Sequence, residues 1–436
     1  MNDQQNQTLD YKKTFLIGFG FFSTSVMWAV YNTYVPIYLQ AGGPGFEAST
    51  FGFGLSATLT GFIMTLDNIA AFFIQPLTGA LSDRTYTRIG RRMPYIVAFA
   101  PIAVLAFILI PIPPQLIPAG LSGEAGQLTG LFVAFVAALG VMLLAMAAFR
   151  TPVIALMPDL VPSPLRSKAN GVINLMGGLG GVFAFVAGGL LYKIHRPLPF
   201  WVGGAMTLIA VGILFWQIKE PPELVETAAR RDQGLGVFAA LREIPAENAH
   251  SLTLLILAIF FWFVGYNAIE TFFSSYGVTT LGVSESTASM ILSVAYITFI
   301  IFSIPSGFIA TRFGRKRTII VGLLVFATLL MVAFFTPTVP AIVGLLAVGG
   351  IAWSLVNINS LPMVVDTSPS EASLGTYTGL YYVAGTLAAV VGPILNGWVI
   401  DLTGNNYNTI FLVTPGFFVL ALLCMLGVTT GEAKTS

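Results

Sequence analysis

Between Met64 and Pro94 the chain reads MTLDNIAAFFIQPLTGALSDRTYTRIGRRMP. Asp67 and Asn68 sit inside an apolar run, which ends in a basic hairpin holding Asp83, Arg84, Arg88, Gly90, Arg91 and Arg92. An ionisable side chain inside hydrocarbon is costly and marks a functional position by default. Low dielectric favours the neutral acid, so such a carboxyl group can take up and release a proton near physiological pH. Asp67 is therefore the expected coupling group; the plainer alternative is a structural carboxylate that caps backbone or pairs with arginine. Arg150 is the second candidate, because a guanidinium cannot deprotonate and offers forked donors to hydroxyls or a carboxylate. At 1.5 Å per residue, Arg150 stands ~13 Å along its helix from Asp159, and Asp67 stands ~24 Å from Asp83. The two are thus expected at different depths, at two ends of one cavity.

Glu270, just after Tyr266 and Asn267, reads equally as a second ionisable group, a hydroxyl acceptor, or a residue reaching the outer surface. A neutral polar set accompanies these charges: Tyr31, Asn32, Tyr34, Asn68, Tyr266, Asn267, Asn357, Asn359 and Tyr381. Amides supply donors and acceptors together, and aromatic faces stack on the CH surfaces of sugars. Singly, each of these residues reads first as interhelical glue; as a set facing a cavity they would form a solute site.

The elements that must position these groups follow from composition. Of 436 residues, 56% are hydrophobic and only 9% charged, far below the ~25% of soluble domains. Apolar stretches long enough to cross about 30 Å of hydrocarbon recur near 14–39, 52–81, 94–113, 128–157, 169–192 and 198–218, then near 251–277, 285–311, 318–336, 340–364, 374–400 and 408–431. The expectation is an all-α membrane protein of twelve transmembrane helices in two six-helix bundles, 1–218 and 251–436. A linker, 219–250, joins them and is expected to carry a short surface helix near Val237–Glu243. The polar start, MNDQQNQTLDYKK, leads into an apolar run without a small-residue cleavage site, which reads as a first span and not a removable signal.

With both ends inside, 17 of the 20 Lys and Arg residues fall in cytoplasmic segments, which predicts cytoplasmic termini in the cell (inner) membrane. A net charge of +1 and no basic patch outside the turns exclude nucleic acid as a partner. One cysteine and two histidines leave no disulfide, metal centre or His relay, and no Walker pattern is present. No cofactor, metal or enzyme activity is expected.

The halves repeat. Tyr31-Asn32 matches Tyr266-Asn267; Gly79 to Arg84 with Gly90, Arg91 and Arg92 matches Gly307 to Arg312 with Gly314, Arg315 and Lys316; Met157-Pro158-Asp159 matches Val364-Val365-Asp366. Such parallel repeats imply a site between the halves. Asp67 has Ala295 as its counterpart, and Arg150 has Asn357. The basic turns carry an expected gate: Arg84, Arg91, Arg92, Arg166, Arg312 and Arg315 pairing with Asp83, Asp159 and Asp366, or these carboxylates resting at helix N-termini. Glycines of the fifth and eleventh spans read as close-packing surfaces.

On these residues the chain resembles the major facilitator superfamily, whose loop motif G-x-x-x-D-R-x-G-R-R stands here as Gly79, Asp83, Arg84, Gly90, Arg91 and Arg92 with a four-residue insertion. A narrower resemblance, to sucrose/proton symporters within the glycoside–pentoside–hexuronide:cation symporter group, rests on Leu66-Asp67-Asn68, Gln75-Pro76-Leu77-Thr78-Gly79, SDRTYTRIGRRMP, and Phe149-Arg150-Thr151-Pro152 leading to Met157-Pro158-Asp159. Gln75-Pro76 replaces the Asp-Pro of many cation symporters in that group, which disfavours a sodium site. The resemblance implies a secondary transporter, monomeric, importing a glycoside or disaccharide (sucrose- or maltose-like) with H⁺ in preference to Na⁺. The alternative is an exporter or uniporter of an amphipathic drug-like or lipid solute, which the 35 phenylalanines would suit.

Overall fold

The computed structural model describes residues 9–46, 51–85, 87–161, 165–220, 246–367 and 374–432, without side chains at 119, 166–168, 246–248 and 374–376. Among them are twelve long helices: α1 Tyr11–Gln40, α2 Ala57–Asp83, α3 Met93–Leu109, α4 Thr129–Leu160, α5 Arg166–Ile194, α6 Leu198–Gln217, α7 Ala246–Thr279, α8 Glu285–Phe313, α9 Arg315–Phe335, α10 Val339–Asp366, α11 Leu374–Leu402 and α12 Ile410–Gly427. Twelve helical segments are long and apolar enough to cross a bilayer. The expected linker helix near 237–243 lies outside the described residues.

Local chemistry sets where the helices start and stop. Asp10 accepts from the Lys13 N–H at 2.9 Å and opens α1; Ser284 opens α8 in the same way at Thr287. Proline stands in the first turn of α3, α6 and α10, where no N–H is needed. The second helix begins at Ala57, later than the apolar run suggests. Phe53 donates to the Tyr38 carbonyl and Gly54, at φ +65°, to that of Ala41, which holds this stretch in a tight non-helical turn. The third span stops at Leu109 because Pro111, Pro113 and Pro114 follow, leaving a one-turn helix, Ile112–Gln115.

The described residues divide into two compact units: 9–42, 51–54 and 66–220 in the first, and 43–46, 55–65 and 246–432 in the second. In the first, α1 packs on α5 and α6, and α3 on α4 and α6. In the second, α7 packs on α11 and α12, and α9 on α10 and α12, so these four pairings repeat. The second unit departs from the expected division at 218 and 251 by taking in the start of α2. Asp401 of α11 accepts from the Ala57 and Thr58 N–H groups, both at 2.9 Å, and from the Thr58 hydroxyl, and so caps that start.

Among the crossings with no room for a side chain are α1/α5 and α7/α11. A Cβ on Gly180 of α5 would stand 2.5 Å from the Phe22 carbonyl oxygen of α1, and one on Gly392 of α11 would stand 2.5 Å from that of Val264 of α7. Backbone against backbone allows no rotamer relief, so these glycines set the α1/α5 and α7/α11 approach. Gly180→Val and Gly392→Val should each destabilise by about 1–3 kcal/mol, read as a lowered midpoint of thermal unfolding in detergent. Gly212→Val, at a position open to 4 Å, should leave the midpoint unchanged.

Candidate functional site

At the basic end of the first unit, the expected arginines meet their carboxylates. Arg91 reaches Asp159 through Nη2 at 2.5 Å and Nε at 3.2 Å, and Arg92 Nε reaches the same carboxylate at 2.9 Å. Arg92 also pairs with Asp83 and donates to the Ser82 hydroxyl. Both guanidinium groups are nearly sealed, at 8% and 7% exposure, and Asp159 is at 12%. Three helices, α2, α3 and α4, are thereby tied within one unit.

Sequence reasoning missed the group that completes this cluster. Glu220, three residues beyond α6, accepts from the N–H groups of Arg91, Arg92 and Met93 at 2.9–3.1 Å and caps the start of α3. Its negative charge rests against the positive end of the helix dipole. Gly90 makes this possible: its φ is +110°, and a Cβ there would meet the Glu220 carboxyl carbon at 2.5 Å. The second unit repeats the device. Arg315 pairs with Asp366 and donates to the Pro362 carbonyl, while Glu432 accepts from the Arg315 and Lys316 N–H groups at 2.7 and 2.9 Å. Gly314, at φ +91°, takes the place of Gly90.

Arg84 is exposed just past α2. Arg312 lies exposed at the end of α8, its guanidinium over the Phe313 ring at 5.4 Å. The side chain of Arg166 lies outside the described residues.

The interior of the first unit holds Asp67, Asn68 and Arg150, all partly exposed and each well inside its helix. The Asn68 amide donates to Asp67 Oδ1 at 2.7 Å. Tyr31, buried on α1 with its ring edge-on to Trp28, lies within electrostatic reach of the Asp67 carboxylate. Asn32 is partly exposed on the same helix. Tyr34 is fully buried, stacked on Tyr192 at 4.3 Å and packed on Phe200 in the aromatic core of this unit.

In the second unit, Tyr266 of α7 stacks on Trp353 of α10, with centroids 4.3 Å apart and planes 8° from parallel. Its hydroxyl meets that of Tyr296 at 3.3 Å, and Tyr296 donates to Glu270 Oε1 at 2.7 Å. Glu270 thus faces other side chains of its unit. Asn359 is buried and donates to the Ser306 hydroxyl and the Leu355 carbonyl, so it joins α10 to α8. Asn267 bonds back to the Phe263 carbonyl, Asn357 is partly exposed, and the Tyr381 hydroxyl meets that of Ser360 at 3.2 Å. Neither Tyr296 nor Trp353 was anticipated, although Tyr296 holds the repeat position of Asn68, beside Ala295.

Burial decides which ion pair matters for stability. Asp159→Asn leaves two sealed guanidinium groups short of a counter-charge and should cost about 3–5 kcal/mol. Asp366→Asn acts on a pair at 20% and 36% exposure, where solvent screens the loss, and should cost about 1 kcal/mol or less. Thermal unfolding of the two variants side by side in detergent checks the order.

Comparison with known proteins follows the same architecture. The profile of the Major Facilitator Superfamily matches residues 17–290 and 278–436. YxiO of Bacillus subtilis (strain 168), an uncharacterized MFS-type transporter, is 29% identical over 217 residues, 48% of this chain and 47% of that protein. The isoprimeverose transporter of Lactiplantibacillus pentosus is 25% identical over 288 residues, 62% of this chain and 55% of that protein. The chain thus spans about half the length of these two relatives. The class C tetracycline resistance protein of Escherichia coli is 23% identical over 393 residues, 84% of this chain and 85% of that protein. A structure of the nucleoside transporter NupG superposes with a TM-score of 0.71 at 16% identity, over 96% of this chain and 100% of that one. The D-xylose–proton symporter superposes with a TM-score of 0.66 at 17% identity, over 97% of each. At these identities the structural likeness concerns the fold alone. With twelve apolar helices, a repeated six-helix packing and a family match along nearly its whole length, the chain is an integral membrane protein that belongs to the Major Facilitator Superfamily.

Proposed function

We propose that this chain is a secondary transporter that couples inward proton movement to uptake of a glycoside or disaccharide by alternating access. The carrying observation is the Asp67 carboxylate, well inside α2, held by the Asn68 amide and beside Tyr31. A mid-span carboxylate set among neutral donors can exchange a proton with little rearrangement, which is what proton coupling requires. In the first unit Arg150 offers hydroxyl-directed donors, and in the second the Tyr266/Trp353 stack offers an aromatic face; each by itself suits a saccharide. The relative named as an isoprimeverose transporter fits this reading, as does the narrower resemblance to sucrose/proton symporters.

The proposed coupling ion is H⁺ in preference to Na⁺, in keeping with Gln75-Pro76 standing where many cation symporters of the resembled group have Asp-Pro. The distribution of Lys and Arg favours termini on the cytoplasmic side of the cell membrane. The clusters around Asp159 and Asp366 would act in gating by fixing the basic helix ends, and the protein would work as a monomer without cofactor.

The second reading, export of an amphipathic solute, has one specific observation in its favour. The tetracycline resistance protein matches over 84% of this chain. Thermal stabilisation of the purified protein separates the two. Sucrose or maltose should raise the unfolding midpoint in proportion to ln(1 + [L]/Kd), and tetracycline should not. Arg150→Ala, which removes charged hydrogen bonds worth about 1.5–3 kcal/mol, should weaken sugar binding roughly tenfold or more. Stabilisation by tetracycline and not by sugars would favour the exporter.

A further inference from the structure

In the second unit, three side chains form a hydrogen-bonded row whose direction the chemistry fixes. An ionised Glu270 can only accept, so the single hydrogen of the Tyr296 hydroxyl must point to it, across 2.7 Å. The Tyr296 oxygen is then left to accept, and it takes the hydrogen of the Tyr266 hydroxyl, 3.3 Å away. Every donor in the row therefore aims toward the carboxylate. The Tyr266 ring is clamped by its stack on Trp353, so its hydroxyl hydrogen can turn about the C–O bond while the ring stays in place.

We propose that the Tyr266–Tyr296–Glu270 row is a reversible hydrogen-bond relay that reports proton binding at Glu270 to the solute site. This rests on the proton-coupled reading above. When a proton arrives, Glu270 becomes an O–H donor to Tyr296. The Tyr296 hydrogen turns to Tyr266, and the Tyr266 hydrogen is released to an acceptor oxygen on the solute. One proton enters at Glu270, no bond to carbon changes, and two hydrogen bonds reverse direction. Protonation thereby creates a donor two links away, which orders the events as proton first and solute second. Tyr296 is the positioning residue, and Glu270 the proton acceptor.

Of the charged residues in α7 to α12, Glu270 alone lies more than four residues from a helix end. On α7 and the elements packed against it, the remaining ionisable groups inside the spans are Tyr276, Tyr377, Tyr381, Tyr382 and Cys424, with Tyr407 in the turn before α12. Glu247, His250, Glu285, Arg312, Asp366 and Asp401 stand at helix ends. The position of Tyr296 also has a counterpart in the first unit. Asn68, its repeat equivalent, donates to Asp67, so each unit holds its mid-span carboxylate with a donor from the same slot.

Infrared difference spectroscopy of the purified full-length protein tests the relay without a solute. Tyrosine is isotope-labelled at the phenol carbon, and pH is the variable. In an Asp67→Asn background, which silences the other mid-span carboxyl group, a protonated-carboxyl band and a tyrosine C–O shift should appear together as pH falls, and adding Glu270→Gln should lose both. Tyr296→Phe should keep the carboxyl band and lose the tyrosine shift. Maltose and sucrose affinity provides the second readout. In the same Asp67→Asn background it should fall by up to about tenfold per pH unit on raising pH, and be flat once Tyr296→Phe or Tyr266→Phe is added. A tyrosine shift that survives in Tyr296→Phe, or spectra of the Asp67→Asn background in which Glu270 never titrates, would overturn the relay. Should Tyr296→Phe misfold, Tyr266→Phe decides on the same two readouts: loss of pH-dependent affinity with the carboxyl band retained supports the relay, and retention of that dependence overturns it. Intact infrared responses without binding of either sugar would leave the relay standing and remove the saccharide reading.

Discussion

A charge in hydrocarbon must be held by partners or it is expelled, at roughly 2.5–3.5 kcal/mol per group on the insertion scale. This constraint sorts every charged side chain in the described helices. Nearly all stand within four residues of a helix end, and the most buried of these are paired: Arg91 and Arg92 share Asp159, and Glu220 covers the N–H groups at the start of α3. Asp67, Arg150 and Glu270 alone lie deeper in their helices. These three are kept where they are most expensive, and the functional reading grows from that fact.

The repeat shows which arrangements are architectural. Gly90 and Gly314, Arg91 and Arg315, Asp159 and Asp366, Glu220 and Glu432 form the same cap and ion pair in each unit. A device present twice serves what both halves need, which is a fixed basic end for the third and ninth helices. The interior is different. Asp67 on α2 faces Tyr31 on α1, whereas Glu270 and Tyr266 share α7 and are joined through Tyr296 on α8. The scaffold is duplicated while the chemistry has diverged.

Most of the fold was legible in the sequence because span length and hydropathy are local properties that the bilayer enforces. The start of α2 was misjudged, since Gly52 and Gly54 are apolar enough to extend the run while their backbone is held in a turn. Glu220 and Glu432 were missed because they cap helices that begin more than a hundred residues earlier in the chain. Asp67 and Glu270 announced themselves as charges, but Tyr296 and Trp353 did not, because an aromatic residue in an apolar helix carries no signal of its own. Reading the repeat one residue past Ala295 would have found Tyr296 opposite Asn68. Tyr34 and Asn359 show the other limit: sequence marks a polar atom in a span but not the packing around it, here the Tyr192 ring and the Ser306 hydroxyl.

Uptake by reconstituted protein under an imposed pH gradient tests most directly whether the mid-span carboxylate couples proton to solute. Wild type and Asp67→Asn are placed in proteoliposomes with labelled sucrose or maltose outside and an inward proton gradient. The account requires accumulation in the wild type that collapses with the gradient. It also requires Asp67→Asn to lose accumulation while retaining equilibrative exchange. Accumulation undiminished in Asp67→Asn would contradict it and leave that carboxylate a structural one.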